Sequence, residues 1–126
     1  MLLTLRLLAY VQVLLGLGRF AGLITNPYVW ETHVTIGFLL AVLSLFAFRP
    51  RPGVPASGLR LAARFFAIAP LALGLAMYQG LVGGKPVTMV HMALGLIAVG
   101  LIDAAAAQER RALAGGAGGS GPGAQA

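Results

Sequence analysis

His33 and His91 are the two histidines of this 126-residue chain, and they hold the same place in two copies of one internal pattern. Overlaying residues 15–46 on 73–104 at a constant offset of 58, with no gap, pairs them. The same overlay pairs Leu15 with Leu73, Gly16 with Gly74, Leu17 with Leu75, Gly22 with Gly80, Leu23 with Leu81, Val29 with Val87 and Gly37 with Gly95. Each copy is an apolar segment, a short turn and a second apolar segment that opens near its histidine. Imidazole nitrogens ligate metals and move protons. A histidine inside a membrane segment is costly and by default functional. A symmetric pair, each followed four residues later by glycine, has the form of two axial ligands for one haem iron.

The spacing has a mechanical sense. Residues i and i+4 share a helix face, so Gly37 and Gly95 lie one turn beyond their histidines, where a larger side chain could strike a macrocycle. The competing reading is that the histidines bond neighbouring helices while the glycines let helices approach. Two histidines could also hold copper or zinc. Catalytic zinc takes three protein ligands, which are not repeated here. Met89 and Met92 beside His91 hint at copper but are equally ordinary packing filler. Haem propionates are anionic, and Arg19 and Lys85 are the basic residues nearest the short turns, as propionate partners or as interfacial anchors. Glu31 is the carboxylate at that end, two residues before His33. It is read as a helix-end residue or as an acid beside a substrate.

These residues need a frame, and composition supplies one. The chain is 59% hydrophobic and 10% charged, with a mean hydropathy of +0.89. Those values exclude an ordinary soluble domain. Stretches at Leu2–Leu23, Trp30–Phe48, Leu61–Leu81 and Val87–Ala107 approach or exceed the roughly 20 residues that cross a bilayer. Cysteine is absent, which excludes disulfides, thiolate metal sites, iron–sulfur clusters and covalent c-type haem attachment. The net charge of +6 comes from nine basic and three acidic residues. Arg49, Arg51, Arg60 and Arg64 surround the central loop, and Arg110 and Arg111 follow the fourth span. That placement is a topology signal and not a nucleic-acid footprint. It predicts both termini on the cytoplasmic side, with the two short turns outside. Span one aligns with span three, so it is read as a retained helix and not as a cleaved leader.

The expected architecture is an all-α membrane protein, a four-transmembrane-helix bundle built from two repeated helical hairpins. Residues 1–111 form the bundle, with repeat one about 1–48 and repeat two about 59–107. A Gly/Ala-rich tail at 112–126 is expected to be disordered. Asn26-Pro27 marks the first turn, and the prolines and glycines of 49–58 separate the repeats. Pro70 is expected to kink span three. Gln12 is expected to bond a neighbouring helix, Arg6 to snorkel to the headgroups, and Asp103 and Glu109 to pair with Arg110 or Arg111. Up-down-up-down topology makes spans two and four parallel. Diagonal helix axes are then roughly 11–14 Å apart, leaving room for iron between two inward imidazoles.

At this level of detail the chain resembles one half of the heme A synthase family. Those membrane proteins have two related four-helix halves, each with a histidine pair on its second and fourth helices. The resemblance covers residues 12–104 and rests on Leu-Gly at 15–16 and 73–74, Gly22-Leu23, Trp30-Glu31-Thr32-His33 and Val90-His91-Met92-Ala93-Leu94-Gly95. It implies that His33 and His91 ligate haem and that Glu31 matches the family's glutamate ahead of the first histidine. The family places that glutamate three residues before its histidine; here it is two. Many members carry an outer-loop cysteine pair that this chain lacks. A complete heme A synthase needs two haem sites, which this half would supply only as a homodimer.

Three classes follow. The first is a haem b protein of the bacterial cytoplasmic membrane, with haem held non-covalently, that exchanges electrons with a respiratory or quinone-linked partner. A heme A synthase-like oxidoreductase is its enzymatic extension. The second is a cofactor-free membrane subunit or assembly factor. The third, a transporter, lacks the mid-membrane acid that ion coupling needs.

Overall fold

A computed structural model describes residues 1–117 of the chain. All of the regular structure among them is helical: α1 (Leu2–Phe20), α2 (Pro27–Ala47), α3 (Gly58–Phe65), α4 (Ile68–Tyr78) and α5 (Lys85–Ala117). Counting α3 and α4 as one stretch, Gly58–Tyr78, four stretches are long and apolar enough to span a membrane.

Local chemistry sets the boundaries. Asn26 caps α2, its side chain accepting the Tyr28 amide, and Pro27 occupies the first turn, where its missing N–H costs nothing. Both α2 and α5 therefore begin a few residues earlier than the apolar runs alone suggest. At the far ends of α1 and α4 the chain turns through glycine at a positive φ, 72° at both Gly22 and Gly80. The two turns share their bonding: Leu23 N–H donates to Gly18 and Leu81 N–H to Ala76, each at 2.9 Å. This 6→1 closure ends a helix where only glycine enters the left-handed region without strain. Span three is interrupted at Phe66–Ala67, four residues ahead of Pro70. Proline cannot donate to the Phe66 carbonyl and its ring crowds that turn. The Ala69 amide takes the carbonyl instead, at 3.0 Å.

Contacts fix the arrangement. The end of α1 meets the start of α2 through Gly16 and His33, and the end of α4 meets the start of α5 through Gly74 and His91. Each spanning stretch thus runs opposite to the next in sequence. α1 packs on α2 and α5, while α3 and α4 also pack on α2 and α5. Consequently α2 and α5 lie diagonally across the bundle.

Lipid offers no hydrophobic drive to bring helices together, so small residues that allow close approach must do it. The buried core matches: Ala9, Ala47, Ala63 and Ala105 pack with Leu5, Leu40, Phe48 and Ile102. Large apolar side chains such as Leu3, Leu14, Phe38 and Leu61 point outward, as a lipid-facing surface requires.

Three charge expectations need correction. Arg6 does not extend freely to the headgroups: it pairs with Asp103 across the α1–α5 contact, and Tyr10 donates to the same carboxylate. Asp103 thereby has its hydrogen-bonded counter-ion on α1, with Arg110 near enough to act on it through charge but not in a direct pair. Glu109 is 2% exposed and is held by Arg60 and Arg51. α5 continues past Ala112 to Ala117, so the start of the expected tail is helical. Residues 118–126 lie outside the described residues.

Candidate functional site

His33 and His91 each stand six residues beyond the first residue of their helix, Pro27 and Lys85. They are therefore at one depth, nearer the short-turn end than the termini. Because α2 and α5 are diagonal, both side chains reach the bundle centre. Their ring centroids are 6.0 Å apart, with the planes inclined at 65°. Metal–imidazole bonds of about 2 Å on opposite sides of one metal space two such centroids by roughly 6 Å.

Each imidazole is seated against a glycine of the preceding helix. A Cβ placed on Gly16 would stand 3.1 Å from His33 Cε1, and one on Gly74 would stand 2.7 Å from His91 Cε1. One turn earlier on the same helices, the backbone carbonyl of Gln12 lies beside His33 and that of Pro70 beside His91. Neither contact closes into a hydrogen bond of normal geometry, and both Nδ1 atoms are buried without a partner. Buried imidazole nitrogens without partners are uncommon in folded proteins. Here there are two in one cavity, joined by the unpartnered Oε1 of Gln12.

The cavity around the pair holds about 170 Å³ and is overwhelmingly apolar, with Leu40 and Ile102 at its floor and Arg19 and Trp30 at its mouth. That is below the roughly 300–1,000 Å³ of pockets that enclose a whole drug-sized ligand, so a macrocyclic ligand would use its open side as well. Among the described residues no group of three His, Cys, Asp or Glu converges. The donor set is two nitrogens, which is what the protein side of a bis-histidine haem needs and less than zinc takes.

The other predicted residues fall unequally. Gly37 and Gly95 both line the cavity; Gly95 presents open space, whereas a Cβ on Gly37 would meet Gln12 Nε2 at 3.1 Å and Leu71. Arg19 lines the mouth, donates to the carbonyls of Ile24 and Thr25, and lies 5.9 Å from the Trp30 ring. Lys85 is exposed at the first residue of α5 and does not line the cavity. Glu31 is exposed, outside the cavity, in a shallow recess with Arg19, Trp30 and Tyr78. With α2 beginning at Pro27, Glu31 is a helical residue two positions from His33 and faces elsewhere.

Two features were not anticipated. Trp30 lies between His33 and Tyr78, with centroids 6.4 Å from each and planes within 22°. Gly16 and Gly74 stood out in the repeat, yet apolar context alone suggested helix packing and not contact with the imidazoles.

No protein-family model, curated protein or solved structure matches the chain.

Proposed function

We propose that this chain is an integral membrane haem b protein in which His33 and His91 ligate one iron and which transfers electrons within the membrane. The observation that carries the reading is the pair itself. Two imidazoles from diagonal helices meet edge-on, with centroids 6.0 Å apart, in an apolar cavity. Haem supplies a one-electron redox centre. His33 and His91 would hold the haem, and two protein ligands to one iron favour electron transfer over hydroxylation. The surrounding apolar residues exclude water, and Gly95 leaves the space a bulky ligand requires. Arg19, at the mouth, is the residue suited to an anionic propionate; Lys85 stands away from the cavity.

The equivalences between Gly16 and Gly74, Gly22 and Gly80, and the two histidines support a bundle made of two repeated hairpins. They also support the likeness to half of a heme A synthase. On that likeness a homodimer would bring two haem sites together, and the redox partner would be respiratory or quinone-linked. The basic residues favour cytoplasmic termini in a bacterial membrane, which puts the histidine pair near the outer face.

Trp30 is the single tryptophan of the chain and stacks on His33, so its fluorescence reports on the site. Titrating the detergent-solubilised apoprotein with haem should quench this emission to an end point of one haem per chain. His33→Ala and His91→Ala should each abolish the saturable phase. Quenching that is unsaturable, or unchanged in both variants, would overturn the proposal in favour of histidines that only join helices.

A further inference from the structure

We infer that Gly16 and Gly74 are positioning residues: each is a notch that seats one imidazole and sets which ring edge it turns to the cavity. The inference rests on the haem reading for its purpose, but on geometry alone for the seats. Both glycines lie on the helix preceding their histidine, and both meet the same ring atom, Cε1. In each case the residue four positions earlier, Gln12 or Pro70, places its carbonyl beside that imidazole. Closing either contact into a hydrogen bond on metal binding would fix the tautomer and leave the other nitrogen for the metal. Any side chain at position 16 or 74 would push the ring off that carbonyl.

The seats are unequal. At 2.7 Å the Gly74 approach is closer than a real Cβ tolerates, so the His91 ring must swing aside to admit one. At 3.1 Å the Gly16 seat needs a shift of only a few tenths of an ångström. Gly100, outside the cavity, supplies the control, because a Cβ there meets nothing within 4 Å. The two ligands are thus held with different tolerance, and the His91 side is the stricter.

The test uses Gly16→Ala, Gly74→Ala and Gly100→Ala in the full chain, with thermal midpoints recorded alongside. Because the chain has two histidines, NMR of the apoprotein resolves two imidazole Cε1–Hε1 signals. Gly74→Ala should displace the His91 signal, Gly16→Ala the His33 signal to a lesser extent, and Gly100→Ala neither. In haem-loaded protein, Gly74→Ala should weaken haem binding about 10- to 100-fold, as loss of an orienting contact does. It should also shift the midpoint potential and the low-spin spectrum, with Gly16→Ala following in the same direction by less. Imidazole signals and haem affinity that match the parent in both seat variants would overturn the inference. A colourless parent would instead count against haem binding, and the apoprotein signals would still decide whether the seats exist.

Discussion

Glu109 carries more of this bundle than its place near the end of the chain suggests. It is 2% exposed and receives Arg60, itself 4% exposed, as well as Arg51. Arg60 also donates to the Arg49 carbonyl, at 3.1 Å. The cluster therefore ties the central loop, α3 and α5 together at the termini end. Removing one partner of a buried pair leaves the other charged and unsatisfied, which costs about 3–5 kcal/mol. Glu109→Gln should accordingly lower stability by about that amount in a reversible unfolding assay. Haem content per folded chain should not change, because the cluster lies at the opposite end from the histidines. At this scale the sequence was legible where residues repeat. The constant offset singled out His33, His91, Gly16 and Gly74 before any coordinates. It could not say that Gly16 and Gly74 touch imidazoles, since an apolar helix shows no clear inward stripe. Nor could it give the partners of Arg6, Asp103 and Glu109, which are set by contacts over 49 to 97 residues of sequence.

Among the elements, span three shows how a local rule shapes the site. Its apolar run reads as one helix with a kink at Pro70, and the structure keeps Phe66 and Ala67 in the right-handed helical region while the regular bonding lapses there, between α3 and α4. Pro70 is the cause, since it withdraws the amide that would bond Phe66. Gly74 lies one turn beyond Pro70, so a change in the path of α4 would alter its approach to His91. Pro70→Ala should restore that amide, join α3 to α4 and turn Gly74 relative to His91. Circular dichroism should show equal or greater helicity, while haem binding weakens. Equal haem affinity with raised helicity would show that the break does not position the seat. Helix starts were less legible than helix existence. Asn26-Pro27 and Gly84-Lys85-Pro86 look like loop in sequence, but the former supplies a cap and first turn and the latter leads directly into α5.

For the whole molecule, the bundle is divided between a packed half and an open half. Alanine-rich contacts and the buried charge cluster close the termini end, while the cavity and the two histidines occupy the short-turn end. A bundle built for packing alone has no reason to bring its two histidines together at the centre of one apolar cavity. Haem ligation by His33 and His91 supplies the reason, and this is the central claim. The absorption spectrum of protein purified from haem-replete cells tests it most directly. The account predicts a low-spin Soret band and a sharp α-band on reduction, with one haem per chain, both lost in His33→Ala and in His91→Ala. A colourless parent from the same cells, or a spectrum that survives both substitutions, would contradict it.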